Sequence, residues 1–146
     1  MGKILNICDI YSAYEDETGE YPIVPNNSEQ TYVELLFKAK FVGGNILYKH
    51  GLFDWKIEVE DLQGPIGKCM YKRKTIIIDK SWLWLTTEDM LEDTIFHEVA
   101  HALCPGHGHD EVWQAMALEI GCNGQEFAVF TVKKNEGFTC QIIYGD

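Results

Sequence analysis

The first segment with a clear pattern of apolar and polar positions spans residues 27–50. Its apolar residues recur every three or four positions, at Tyr32, Leu35, Leu36, Ala39, Val42 and Ile46. This spacing places them on one face of an α-helix. Asn27 or Ser28 can cap the start of that helix. The pair Gly43-Gly44 weakens its middle, so we expect a bend there.

Two more segments repeat apolar residues at helical spacing. One starts near Thr86 or Thr87 and runs to about Cys104, where Pro105 follows. The other runs from about residue 110 to 120 and precedes a glycine. Proline and glycine are typical of positions just beyond a helix end. The sequence therefore predicts three helices in all.

Alternation of apolar and polar residues predicts strands between and after these helices. Residues 55–62 form a predicted strand that alternates over 55–60, and residues 67–71 and 75–79 form a predicted hairpin around 72–74. A closing hairpin is predicted from 126–132 and 138–144. The helices together with about three antiparallel strands predict an α+β fold.

The chain divides into three stretches. Residues 1–26 are acidic and proline-containing, so we expect a tail with little order up to Pro25. Residues 27–121 form the predicted folded domain, and residues 122–146 the closing hairpin. At 146 residues the whole chain has the length of one domain.

Composition narrows the class of protein. A net charge of −11 argues against a dedicated DNA-binding domain, which is usually basic. Five scattered cysteines without a C-x-x-C pair argue against a disulfide framework and a four-cysteine zinc module. No signal peptide and no membrane-spanning run are recognisable, so we expect a cytoplasmic protein with reduced thiols.

The stretch HEVAHALCPGHGHDEVW, residues 97–113, carries the candidate chemistry. His97 and His101 stand four positions apart, which puts both rings on one helix face, about 40° apart. Two such imidazoles can hold a zinc ion, and Glu98 between them can act as general base toward a zinc-activated water. The pattern predicts one zinc per chain and hydrolysis of a protein or peptide substrate.

A third ligand has three candidates. His107 has the ten-residue spacing from His97 of a known protease pattern, but that pattern needs glycine where Cys104 stands. His109 opens the next helix, and Trp113 would pack that helix against the first. A ligand fixed by helix packing is better positioned than one in a loop, which favours His109. Glu119, on that helix, is a further option.

The order of these motifs resembles the SprT-like, or Spartan-type, family of zinc metalloproteases. The similar run extends from Arg73 to Gly121 and contains the H-E-x-x-H helix followed by a G-H-x-x-x-[FW] element. The resemblance implies a single zincin-like domain, with His109 as the third ligand because Trp113 then occupies the aromatic position. It also implies proteolysis of proteins on DNA. Only two cysteines follow the last helix, so the zinc ribbon that many members carry is incomplete here.

The remaining candidates have weaker signals. Asp93 lies one turn before His97 and could orient it, and His107 could lie near the cleft. Tyr71 could donate to an oxyanion. A basic cluster consists of Lys68, Lys72, Arg73 and Lys74. A solvated hairpin tip is the favoured interpretation of this cluster, and a weak nucleic-acid patch is the alternative.

A second function fits the same residues. A non-catalytic, zinc-folded binding module would keep the ligands for stability, with Cys104 or His107 filling the fourth position. The presence of Glu98 favours the peptidase, because a structural site has no use for a general base. Trp82 and Trp84 are interpreted as core residues.

Overall fold

The structure is a computed structural model that describes residues 3–5, 23–24, 26–62, 65–134 and 139–145, with side chains over 26–62 and 65–126. Within these residues the predicted α+β class is confirmed. In chain order the elements are β1 (Lys3–Leu5), β2 (Ile23–Val24), α1 (Glu29–Lys49), β3 (Lys56–Glu60), β4 (Gly67–Met70), β5 (Thr75–Asp79), a 3-10 turn (Ser81–Trp84), α2 (Glu88–Leu103), α3 (Glu111–Ile120), β6 (Phe127–Lys134) and β7 (Thr139–Gly145).

The sheet of the central domain is mixed, so the prediction of an antiparallel sheet is wrong. Its strand order is β3-β5-β4, with β4 antiparallel and β3 parallel to β5. The reason lies in β5, whose five residues are all buried. This apolar strand takes the centre, where both of its edges are paired. The β4–β5 hairpin occupies one edge of β5. Strand β3 therefore pairs with the other edge, where it runs parallel to β5.

Helices α1 and α2 pack on this sheet around one apolar core. Ile76, Ile78 and Leu91 are fully buried in it, and so is Trp82. Trp84 is partly buried and stacks on Tyr32 with ring centroids 4.1 Å apart. The interpretation of both tryptophans as core residues is therefore confirmed.

Helix α1 runs without interruption through Gly43-Gly44. Ser28 is its N-cap and accepts a hydrogen bond from the backbone N–H of Thr31. A Cβ built on Gly43 would lie 2.6 Å from Cδ1 of Ile57. Gly43 therefore allows α1 to approach β3 closely, and the bend expected from the sequence stays a prediction.

A second sheet has the strand order β1-β7-β6-β2. β6 and β7 form an antiparallel hairpin, β1 is parallel to β7, and β2 is antiparallel to β6. Most of the predicted tail, residues 1–26, lies outside the described residues, so its expected disorder stays a prediction. None of the helices described is both long and apolar enough to cross a membrane.

Candidate metal centre

His97, Glu98 and His101 lie in the buried C-terminal half of α2. The helix begins after Thr87, whose side chain accepts a hydrogen bond from the backbone N–H of Met90. His97 and His101 are nearly buried, with exposed fractions of 9% and 7%, and Glu98 is 1% exposed. Helix α2 packs against β4, α1 and α3, and these neighbours keep the polar residues on its inner face away from solvent.

The third histidine comes from the start of α3. Nε2 of His109 lies 3.1 Å from Nε2 of His97 and 3.1 Å from Nε2 of His101. Nitrogens about 2.0–2.1 Å from a tetrahedral zinc lie roughly 3.3 Å from one another. The three imidazoles, which form a candidate metal-binding group in the described part of the chain, therefore fit one zinc ion.

Trp113 supports all three rings at once. Its ring is stacked on that of His101, with centroids 5.2 Å apart and an interplanar angle of 22°. It meets the rings of His97 and His109 at centroid distances of 4.6 and 4.7 Å. Its Nε1–H donates to the backbone oxygen of His97, and its side chain is 1% exposed. A rigid indole in this position limits the orientations that the three imidazoles can adopt.

The N-cap of α3 fixes the loop that carries His109. Asp110 accepts a hydrogen bond from the backbone N–H of Trp113 and faces Nδ1 of His107 at 2.7 Å. The first of these contacts, followed by that with His107, lowers the pKa of Asp110 below its ordinary value. An ionised carboxylate at a helix N-terminus also interacts favourably with the helix dipole. The cap therefore holds His109 next to the first turn of α3.

His107 and Glu119 occupy other places. The His107 ring is exposed beside Asp110, outside the group of three converging imidazoles. Glu119 is exposed and lines a cleft between α1, α2 and α3 together with His50. Of the three candidates for third ligand, the structure brings His109 to the other two histidines.

Glu126 is a contact that the sequence did not suggest. One of its carboxylate oxygens, Oε1, lies 3.4 Å from Nδ1 of His109. A carboxylate on this nitrogen favours the tautomer with a proton on Nδ1, which leaves the Nε2 lone pair available to a metal. Glu126 lies at the start of the last hairpin, where alternation suggested only a strand residue.

Asp93 and Tyr71 make contacts different from those that the sequence suggested. Oδ1 of Asp93 accepts a hydrogen bond from the backbone N–H of Asn123, so this carboxylate fixes the loop after α3. The Tyr71 hydroxyl donates to the backbone oxygen of His101 at 2.8 Å. Tyr71 therefore holds the end of α2 at one of the three converging histidines.

Cys104 does not join the histidines. Its Sγ lies 3.9 Å from the backbone oxygen of Val112. Burial, and to a smaller extent Asp110, raises the pKa of this thiol. A buried neutral thiol is a poor metal ligand, since metals bind the thiolate.

The basic cluster lies at the β4–β5 hairpin. Arg73 pairs with Glu60 at 2.8 Å, and Lys74 pairs with Asp54. Lys68 and Lys72 are exposed. Nearby acidic groups therefore compensate two of the four charges expected to meet phosphate.

Comparison with known proteins agrees with the arrangement of helices and histidines. The sequence profile of the SprT-like family matches residues 33–134, which is most of the chain. The chain belongs to the SprT-like family. Among curated proteins, no sequence matches it well enough to count as a relative. The matched region of this SprT-like chain contains α1, the mixed sheet, the three histidines and Glu98.

Proposed function

We propose that this SprT-like protein is a zincin-like, zinc-dependent endopeptidase in which Glu98 is the general base. The observation that supports it is the burial of Glu98, 1% exposed, which follows His97 in the helix that supplies two of the three converging imidazoles. A site that served only to hold zinc would gain nothing from a buried acid next to its ligands. His97, His101 and His109 would hold the ion.

Zinc bound there would supply the Lewis acid that makes water a nucleophile near neutral pH and polarises the substrate carbonyl. Glu98 would accept the proton of that water on a carboxylate oxygen. It would then deliver the proton to the nitrogen of the leaving amine, which cannot depart as an anion. The low exposure of Glu98 keeps bulk water away from the proton that it carries between these two steps.

The substitution Glu98→Gln tests this role, because it removes the base and retains the shape of the side chain. The purified variant should retain about one zinc per chain and hydrolyse an unfolded protein at least about 100-fold more slowly, since general bases typically contribute about 10²–10⁴-fold. Glu119→Gln, an exposed glutamate outside the histidine cluster, is the matched control and should keep parental activity. Equal rates for Glu98→Gln and the parent would exclude Glu98 as the base.

A zinc-folded binding module is the second candidate, and the packing of Trp113 on all three ligand rings favours it. Zinc would then stabilise the contact between α2 and α3. This candidate predicts that chelation lowers the melting temperature and that the parent protein, loaded with zinc, cleaves no unfolded protein or peptide. The peptidase hypothesis predicts that chelation stops cleavage and that added zinc restores it.

We also propose that the substrate is a protein or peptide and that any contact with nucleic acid is weak or indirect. The net charge of −11 and the two compensated basic residues at the hairpin support weak contact. A partner protein, or the DNA-bound substrate itself, would then recruit this protein to DNA.

A further inference from the structure

Helix α1 exposes aromatic side chains on the face opposite its core-facing side. The exposed fractions are 62% for Phe37, 61% for Phe41 and 70% for Tyr48. Phe37 and Phe41 stack on each other with centroids 4.6 Å apart, and Tyr48 meets Phe53 edge-on at 4.9 Å. A helix that already buries one face normally carries polar residues on the other. Large exposed apolar side chains along one helix face are typical of interaction sites.

The spacing of this face is that of a helix–helix contact. We call Phe37, Phe41, Gly44 and Tyr48 the α1 stripe; its members are four, three and four residues apart, the pattern of an apolar seam. A Cβ built on Gly44 would meet no atom within 4 Å. Gly44 therefore leaves a gap in the stripe between two large rings.

The stripe is complementary to a second copy of itself in antiparallel orientation. The midpoint of Phe41 and Gly44 and the midpoint of Phe37 and Tyr48 coincide, between residues 42 and 43. A two-fold axis through that point places Phe41 of each copy over Gly44 of the other, and Phe37 opposite Tyr48. A large ring opposite a gap is the arrangement that lets helices interlock, and a two-fold contact of this kind is closed.

Charge favours the same partner and the same direction. α1 contains three lysines and two glutamates, so its charge is +1 in a chain of −11, and the helix itself adds no net negative charge to a contact between two copies. Glu34 near its start and Lys49 at its end are both exposed on the same flank of the stripe. In the antiparallel pair each Glu34 approaches Lys49 of the other copy, and the two helix dipoles oppose each other.

We propose that the α1 stripe is a homodimer interface in which two copies of this chain pack α1 against α1, antiparallel, with Phe41 over Gly44. One helix pair forms a small interface, so the dimer is a weak one that forms in the micromolar range, on the order of 10 µM. The interface lies on the face of α1 that points away from the core, so the proposal does not depend on the peptidase function.

Sedimentation equilibrium of the full, zinc-loaded chain over a concentration series tests the proposal. The parent should pass from monomer to dimer, and Phe41→Glu should remain monomeric throughout, a loss of at least tenfold in association. Leu118→Glu, which alters an exposed leucine of α3, is the matched control and should dimerise like the parent. A parent that stays monomeric across the series would overturn the proposal, and so would dimers that Phe41→Glu does not weaken.

Two further variants test the register. Gly44→Gln fills the gap without adding charge, so it should weaken the dimer about tenfold, whereas Asn45→Gln, one position away, should not. Glu34→Lys and Lys49→Glu should each weaken association several-fold, and the double variant should recover it. Circular dichroism of each variant checks that the fold is kept. Equal dimerisation of Gly44→Gln and the parent, or no recovery in the double variant, would exclude this antiparallel arrangement.

Discussion

Gly67 of β4 lies directly against the carboxylate of Glu98. A Cβ built on Gly67 would stand 3.0 Å from Oε2 of Glu98 and 3.1 Å from Cγ2 of Thr94. Contacts below 3.4 Å are tighter than most real Cβ contacts, so an added methyl group would displace one of these side chains. The absence of a side chain at position 67 therefore leaves room for the carboxylate of the proposed base.

The substitution Gly67→Ala should reduce hydrolysis by shifting Glu98, while the three histidines and the zinc content stay unchanged. We expect kcat to fall at least tenfold with little change in KM, because the base acts on the reacting water and not on substrate binding. Rates of hydrolysis of an unfolded protein, together with metal analysis, measure both quantities.

A double variant separates displacement of Glu98 from general overpacking. Thr94→Ser removes the methyl group that lies closest to the new Cβ apart from Glu98. In Gly67→Ala/Thr94→Ser the cost in melting temperature should fall, but kcat should remain low. Full recovery of kcat in the double variant would show that Gly67 acts through Thr94 and not through Glu98.

The contact between Gly67 and Glu98 illustrates what the sequence could and could not predict. Periodicity predicted the three helices and the β4–β5 hairpin, since each depends on neighbours along the chain. The i, i+4 histidines followed from the helix alone. Contacts between distant segments left no such signal: nothing near Gly67 in the sequence points to Glu98, and nothing near Glu126 points to His109. Alternation in β3 likewise predicted a strand but not its direction.

His109 and His107 should differ sharply in their effect on zinc. His109→Ala removes one of three converging nitrogens, so it should lower zinc affinity steeply, by at least about 100-fold, as His97→Ala and His101→Ala should. His107→Ala removes an exposed ring beside Asp110 and should leave about one zinc per chain. Metal analysis after dialysis against a graded zinc buffer measures the ranking. Loss of zinc in His107→Ala with retention in His109→Ala would contradict the three-histidine site.

Glu126 should matter for zinc through His109. Removing a carboxylate that orients a ligating histidine typically costs about 10–100-fold in metal affinity, and the partial exposure of Glu126 places the expected loss near the lower end. Glu126→Ala should therefore weaken zinc binding about tenfold, and Glu126→Gln, which can still accept a hydrogen bond from Nδ1, should weaken it less. Glu111→Gln, an exposed acid of α3, is the control. Equal affinities of Glu126→Ala and the parent would show that Glu126 does not position His109.

Asp110 should stabilise α3 more strongly when it is ionised than when it is neutral. Asp110→Ala removes the cap and should lower the melting temperature by several degrees, and Asp110→Asn, which keeps the acceptor for Trp113, should lower it less. Because the pKa of Asp110 is lowered in the folded protein, the advantage of aspartate over asparagine is complete above its ordinary pKa of 3.8 and disappears as the pH falls further. Thermal melts of the three proteins at neutral pH and across this acidic window measure it. An advantage that persisted in strong acid would mean that the charge of Asp110 has no part in capping.

The basic hairpin should bind duplex DNA weakly, because Glu60 and Asp54 compensate Arg73 and Lys74. The two remaining lysines, Lys68 and Lys72, can neutralise about two phosphates, which gives a slope of about −1.8 in the logarithm of affinity against the logarithm of salt concentration. Fluorescence anisotropy with labelled duplex at several salt concentrations measures affinity and slope.

Removing the acidic partners offers the sharpest test of the hairpin. The double variant Glu60→Gln/Asp54→Asn releases Arg73 and Lys74, so affinity for DNA should rise and the slope should steepen toward about −3.6, as expected for four phosphates. The double variant Glu111→Gln/Glu119→Gln, which removes two negative charges from exposed positions of α3 and not from the hairpin, is the control for net charge and should change the slope little. Neutralising Lys72, Arg73 and Lys74 together leaves Lys68 alone in the basic cluster and should reduce the binding of duplex DNA below that of the parent. Sub-micromolar affinity at physiological salt that survives this triple change would place the contact with nucleic acid elsewhere on the chain.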